Sequence, residues 1–482
     1  MIRKSHSRSR PDAQGFRGHG SLPTSPGGRR IPPPVKSPKA HGGRCFLASR
    51  FSLLISPAWR LATLGLVFAG CARAPSGPDF VVYHPQTWDG LDSTNEHFLV
   101  VPVRSGAFLA FWTQASVENN PDQRIVMSRS LDRGRTWSPP VTLAGDPTGE
   151  SKRLASWAFP FVVPATGRVY LFWNQNVGIV DAREDTTGTL TYCWSDDEGA
   201  TWSPRHTLPI RKSAISHPDP KVPENWVTFQ CPIITSRKQV LVGFTRWASK
   251  AFQPVGGLFE RHSELGFLRF DNILTEPDGS KLRVTTLPES DHGPAVPWPE
   301  KPKISIAQEP AIQELADGRL ITVMRTRTGY IYFTLSADEG RSWSPPQPLR
   351  FAPGGEKIPQ PLAPCPLYKL RDGRFLLIFH NNTGHANGGT GPTDSRRVRR
   401  PVFISVGREI PDRDQPIRFS PPRLLADNGG QPHPVNGHTQ IGTYPSLFEF
   451  QGRIYFWYPD RKHILYGMIL PRGWIDAMTP KG

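Results

Sequence analysis

Cysteine is scarce in this chain, five in 482 residues, and no two of the five stand at metal-ligand spacing. Cys193, Cys231 and Cys365 each lie in or beside an apolar, strand-like stretch, which reads as buried free thiols and excludes a disulfide framework. Sustained helical periodicity is absent, so a helix bundle is excluded. The apolar run Leu61–Ala69 is too short to span a bilayer. Acidic residues are nearly missing from the first 60 positions: Asp12 stands alone against 12 Lys and Arg, so 11 of the 17 net positive charges sit there. The rest of the chain is left only modestly basic, which suits an anionic small ligand and argues against nucleic acid. His380 and His385 lack further ligands nearby and read as solvated or packed, so neither a catalytic metal nor a cofactor is expected.

The N-terminal region divides in two. Residues 1–45 are rich in Pro, Gly, Ser and Arg, cannot bury enough apolar surface to offset ordering, and are expected to be a disordered basic extension. Residues 46–71 run from Arg50 and Arg60 through Leu61–Ala69 to Gly70-Cys71, the basic, apolar, small-residue order of an export signal. Ala69-Gly70-Cys71 resembles a bacterial lipobox, in which the Cys is lipidated after cleavage, although Phe68 stands where Leu is usual. The expectation is an exported protein, periplasmic or extracellular, attached to a membrane through Cys71. A signal so far from Met1 further predicts that translation of the native precursor begins downstream.

What the remaining stretch, 72–482, has is repetition. Ser130-Leu131-Asp132-Arg133-Gly134-Arg135-Thr136-Trp137, Ser195-Asp196-Asp197-Glu198-Gly199-Ala200-Thr201-Trp202 and Ser336-Ala337-Asp338-Glu339-Gly340-Arg341-Ser342-Trp343 are copies of one phrase, each followed by Ser-Pro. Each reads as a hairpin turn: the Asp and the hydroxyls bond the turn's own backbone, Gly takes a left-handed conformation, and Trp fills the gap between sheets. A second repeat writes strand, small polar turn, strand six times: Phe98–Trp112, Phe159–Trp173, Pro232–Phe244, Ala311–Val323, Leu367–Phe379 and Leu447–Tyr458. Six hairpins predict six blades, and their uneven spacing of roughly 55 to 80 residues predicts long loops on one face. Phe80–His84 is strand-like and suited to closing the ring. Trp112, Trp173, Trp194 and Trp247 are read as core residues.

The three phrases are Asp boxes, and the chain resembles the sialidase superfamily of Asp-box (BNR) β-propellers from about residue 90 to 470. The resemblance implies an all-β, six-bladed propeller and a retaining exo-glycoside hydrolase that releases a terminal acidic sugar such as sialic acid with a Tyr nucleophile. A glycan is then the partner, and a monomer is expected. It also implies site residues by position. Glu309, before the fourth hairpin, matches the Glu that activates the Tyr; Tyr444, opening the last hairpin, matches the nucleophile; Asp122, on the loop after the first hairpin, matches the general acid, with Glu118 as the alternative. Arg325 and Arg400 match the second and third arginines that grip the substrate carboxylate, Arg400 being preferred to Arg399 for the Pro and strand that follow.

One part of the pattern is missing. The Arg-Ile-Pro phrase of the first hairpin is replaced by Asn95-Glu96-His97-Phe98-Leu99, and the Glu that supports that arginine is replaced by Tyr458-Pro459-Asp460-Arg461. Glu96 or His97 then occupies the arginine's place unless Arg461 or Arg104 moves in. Two alternatives follow: a non-catalytic surface propeller that binds glycans, or a uronic-acid polysaccharide lyase with Tyr444 or His97 as its base.

Overall fold

The computed structural model describes residues 74–480. The extension (1–45) and the export signal with Cys71 lie outside the described residues.

Six antiparallel sheets of four or five strands form the six blades of a β-propeller. Blade 1 runs outward from the axis through Thr94–Pro102, Phe108–Ala115, Arg124–Ser130 and Val141–Gly145. Blade 2 repeats this with Ala155–Val162, Val169–Gln175, Thr189–Ser195 and His206–Leu208. Blades 3, 4 and 5 are built on the hairpins around Lys238, Gly318 and Gly373. Blade 6 contains Ser446–Phe450, Arg453–Asp460 and Ile464–Leu470, and its outermost strand is Phe80–Tyr83 from the other end of the chain. That pairing joins the first described strand to the last and closes the ring, covering the outer edge of Ile464–Leu470. All six hairpins expected from the sequence are present.

The three Asp boxes connect the third and fourth strands of blades 1, 2 and 4. In the first, Ser130 Oγ accepts from Gly134 N at 2.7 Å, and the Asp132 carboxylate accepts from Thr136 N at 2.8 Å and Thr136 Oγ1 at 2.7 Å. The other two repeat this through Asp197 with Thr201 and Asp338 with Ser342. Gly134 has φ +93°, and a Cβ there would come within 2.5 Å of the Trp457 ring of blade 6. The turn therefore excludes a side chain twice, by conformation and by close approach. Each box Trp meets the preceding blade: Trp137 packs edge-on against Trp457, Trp202 against Phe111, and Trp343 stacks on Phe267 at 4.3 Å.

Interblade packing is apolar. Trp112, Trp173, Trp247 and Trp457 are fully buried, whereas Trp194 is half-buried, stacked on His206 under the Arg168 guanidinium. Each large side chain so buried contributes on the order of 2–3 kcal/mol. Cys193 and Cys365 are buried and Cys231 half-buried, with no disulfide among the described residues, and burial pushes the Cys193 and Cys231 thiols up to about 12.

Chain direction fixes where function can sit. The tight hairpins and the Asp boxes fall at one end of the ring. The connections from second to third strands, and those between blades, all fall at the other, here called the mouth.

Candidate functional site

Four blades send a residue to the axis by one device. The inner strands of blades 1, 2 and 4 carry a register shift, between Glu96 and Leu99, Ser156 and Phe159, and Gln308 and Ala311. Within it His97, Trp157 and Glu309 adopt φ of 53°, 60° and 53°. Tyr444, just ahead of the inner strand of blade 6, has φ 63°. A bulge with one left-handed residue re-aims a side chain that regular alternation would send into the sheet. The bulges are stitched to the preceding blade: Trp157 N donates to Thr113 Oγ1 at 3.1 Å, and Glu309 N to Thr245 Oγ1 at 2.7 Å.

Glu309 and Tyr444 meet near the axis from positions 135 residues apart. Tyr444 Oη donates to Glu309 Oε1 at 2.9 Å, and Arg325 Nη1 lies 2.8 Å from Glu309 Oε2 and 3.5 Å from Tyr444 Oη. Gln308 holds the guanidinium from behind, its Oε1 accepting from Arg325 Nη2 at 2.8 Å and Nε at 3.1 Å. All three side chains are buried. Burial raises the Glu309 carboxyl above its usual range against the pull of Arg325 and Arg399. Burial and the Glu309 charge raise the Tyr444 phenol, so it rests protonated. A phenol bonded to a carboxylate of raised basicity has a proton acceptor in place.

Arg399, not Arg400, is the blade 5 arginine in this cavity, which has about 440 Å³ of open space and is also lined by Trp157, Arg183, Trp247, Tyr444 and Lys462. Arg399 is buried, donates to Leu362 O at 2.7 Å and lies 3.4 Å from Gln440 Oε1; among the described residues no carboxylate pairs with it. Arg400 turns outward to a bidentate pair with Asp427 at 3.0 and 2.8 Å. The expectation is therefore corrected by one position. The Pro and strand that favoured Arg400 mark where the third strand of blade 5 begins, and the residue one step further back faces the axis.

The opposite wall is a network of alternating charge. Lys462 Nζ contacts the buried Glu96 carboxylate and lies 2.6 Å from Glu118 Oε2; Arg183 lies 3.2 Å from Glu118 Oε1 and 2.5 Å from Asp185 Oδ1. Burial and the neighbouring Glu118 charge push Glu96 up to about 7, against Lys462. Burial would also raise Glu118, but Lys462 and Arg183 outweigh it and hold that carboxyl well below its usual range. Lys462 is fixed through its backbone, its carbonyl accepting from Asn95 N at 2.6 Å across the ring closure.

The remaining expected residues fall outside the cavity. Asp122 is buried in its own loop, accepting from Ser116 N at 2.8 Å and Ser116 Oγ at 3.1 Å; Glu118, four residues earlier, is the acidic side chain of that loop that lines the cavity. His97 is buried between Trp157, with ring centroids 3.3 Å apart, and Tyr444, 4.6 Å away, so it supports the phenol from behind and leaves the cavity wall to others. Arg461 pairs with Asp460 at 3.0 and 2.7 Å and lies over Trp88, while its neighbour Lys462 turns inward. Both residues have positive φ, so the turn reverses which of two adjacent cations points to the axis. Arg183, Asp185, Trp157 and Lys462 were not singled out from the sequence. Trp157 had a signal: His97, Trp157, Glu309 and Tyr444 stand eight to ten residues before the turn glycines Gly106, Gly167, Gly318 and Gly452. Among the described residues no group of three or more His, Cys, Asp or Glu is placed to hold a metal.

Comparison with known proteins agrees with this architecture. The family described as a BNR repeat-like domain matches residues 106–456, more than half of the chain. Similar solved structures include the Hadza microbial sialidase Hz136, at 18% identity and TM-score 0.52 over 79% of this chain and 66% of that one. The NanB sialidase of Streptococcus pneumoniae is 13% identical with TM-score 0.53, covering 82% of this chain and 70% of that one. The intramolecular trans-sialidase of Ruminococcus gnavus is 15% identical with TM-score 0.53, covering 83% and 98%. At such identities the likeness is one of fold. With its Asp boxes, its six blades and this match, the chain belongs to the BNR repeat-like domain family and is an Asp-box β-propeller.

Proposed function

We propose that the protein is a retaining exo-glycoside hydrolase that removes a terminal acidic sugar, sialic acid or a close relative, from a glycan. The observation that carries this is the Tyr444–Glu309 hydrogen bond of 2.9 Å beside the Arg325 guanidinium. In the first step Tyr444 Oη attacks the anomeric carbon as its proton passes to Glu309 Oε1. The bond to the leaving oxygen breaks, and that oxygen takes a proton from Glu118, the acidic group of this loop that faces the cavity in place of Asp122. In the second step Glu118 removes a proton from water, the water oxygen attacks the anomeric carbon, and the phenolate leaves to recover its proton from Glu309. Arg399, which has no carboxylate partner, and Arg325 hold the substrate carboxylate. Lys462 and Arg183 orient Glu118.

The working protonation state has Glu118 protonated and Glu309 ionised. The directions of their shifts make it a minority form of the empty site, so an acidic optimum is expected. Export and attachment through Cys71 belong to the same proposal and are tested by N-terminal sequencing and fatty-acid labelling of the native protein. The full chain should release the reporter from an aryl α-sialoside, and Tyr444→Phe should abolish release by removing the attacking oxygen. Absence of turnover across acidic glycosides would reject catalysis of this kind. A non-catalytic glycan-binding propeller is the second reading, favoured by the pairing of Glu118 with two cations; it predicts equal glycan affinity in wild type and Tyr444→Phe.

A further inference from the structure

A second and larger cavity, with about 770 Å³ of open space, opens beside the first and shares Glu118, His438, Gln440 and Lys462 with it. Its own walls come from stretches far apart in the chain: the loop that follows Phe80–Tyr83, the blade 1 loop at Ser116 and Val117, the connection from blade 5 to blade 6, and Arg461. Trp88 forms one side, stacked on His463 at 3.9 Å and met edge-on by His433 at 4.8 Å. Val117 and Val435 add apolar surface, exposed at 57% and 63%, which these loops do not cover themselves. Four charged side chains line it: Lys462 is paired with Glu118, Arg461 with Asp460, and the exposed Asp89 adds a carboxylate at the rim, while the other polar groups are neutral. His433 Nδ1 accepts from the Val435 and Asn436 amides, leaving Nε2 for a ligand, and Arg461 is already neutralised by Asp460. Burial and the neighbouring His463 and Arg461 lower His433 to about 4, so it is an uncharged ring at neutral pH.

An apolar and aromatic wall with a few uncharged donors and acceptors matches a neutral pyranose, which presents C–H faces and hydroxyl edges. The cavity meets the reactive one at Glu118, the group that hands a proton to the departing oxygen in the proposed reaction. We infer that this second cavity is the binding site for the leaving portion of the glycan, and that it takes one or two neutral sugar rings against Trp88, Val435, Asn436 and Arg461. The site exists independently of the chemistry, but its assignment to the leaving side rests on the proposed function.

The test uses the full chain and a panel of free neutral disaccharides, lactose, N-acetyllactosamine, maltose and cellobiose, followed by saturation-transfer NMR and titration. At least one should bind. Asn436→Ala and Val435→Asp, both on the connecting loop and away from the blade core, should weaken it by about fivefold or more. Tyr444→Phe should leave it unchanged. Trp88→Ala should also weaken binding, and the loop variants cover the case in which loss of its stacking on His463 disturbs the fold. Failure of every disaccharide to bind, or binding indifferent to all three substitutions, overturns the inference. Disaccharide binding without sialoside turnover sinks the catalytic reading and the leaving-side assignment while the sugar site stands; turnover without disaccharide binding sinks the sugar site alone.

Discussion

The two ends of the propeller use acidic side chains in opposite ways. At the turn end, the Asp132, Asp197 and Asp338 carboxylates accept from hydroxyl and amide groups four residues ahead, and each loop completes its own bonding. Those bonds hold Asp132 and Asp197 down at about 2: at Asp132 they together outweigh desolvation, the largest single influence there, and at Asp197 the Thr201 hydroxyl contributes most. At the mouth, Glu96, Glu118 and Glu309 find their partners across the ring, 344 residues away for Glu118 with Lys462 and 135 for Glu309 with Tyr444. Carboxylates with distant partners titrate apart, the buried Glu96 upward to about 7 and the partly exposed Glu118 downward. Local bonding produces repetition and rigidity, whereas long-range bonding produces the spread of proton affinities that acid–base chemistry needs.

Substitutions at the two ends should separate stability from activity. The largest effect is expected at the turn end: Gly134→Ala combines a left-handed backbone with a Cβ pressed on Trp457 and should cost about 2–4 kcal/mol in chemical denaturation. The kcat of whatever remains folded should be unchanged, and an equal loss of kcat would erase the division of labour between the ends.

Next in size is a contrast between neighbours. Arg399→Ala should raise KM for an acidic glycoside about thirtyfold or more, because it removes the one cavity guanidinium without a carboxylate partner. Arg400→Ala should alter KM less than about twofold, as it only opens an outward pair with Asp427. The reverse ranking would return the role to Arg400.

The smallest expected effect is a displacement of the pH profile. Lys462 is the leading influence holding the Glu118 carboxyl down, so Lys462→Met should raise its pKa and keep it protonated to higher pH. Because the working form is the minority one, the acid-side limb of kcat/KM follows Glu118, so it should move up by about one pH unit and the plateau should rise. A limb that stays in place would remove Glu118 from the acid role.

The same contrast explains what could be read from the sequence. The Asp boxes, the six hairpins and the closing strand Phe80–Tyr83 are short-range patterns, and each is found where its residues stand. Glu309, Arg325 and Tyr444 were legible because each lies at a fixed place relative to a hairpin. Arg400 and Arg461 were each displaced by one residue from the side chain that turns inward, Arg399 and Lys462. At Arg461 and Lys462 two consecutive left-handed residues decide the direction, and alternation gives no hint of them. Asp122 was displaced for a different reason: an Asp able to close its own loop through Ser116 does so, leaving Glu118 to the cavity. Arg183 and Asp185 carry no local signature: chain direction places their loop at the mouth, but Arg183 meets Glu118 only through the packing of blade 2 against blade 1.

The central claim is that Tyr444, activated by Glu309, attacks the sugar. Incubating the full chain with a sialosyl fluoride carrying a second fluorine beside the anomeric carbon, then digesting it for mass spectrometry, would trap the covalent intermediate. The account predicts a sugar adduct on the peptide containing Tyr444, at the phenol oxygen, and none in Tyr444→Phe. An adduct on another residue, or turnover of sialosides with none trapped, would contradict it.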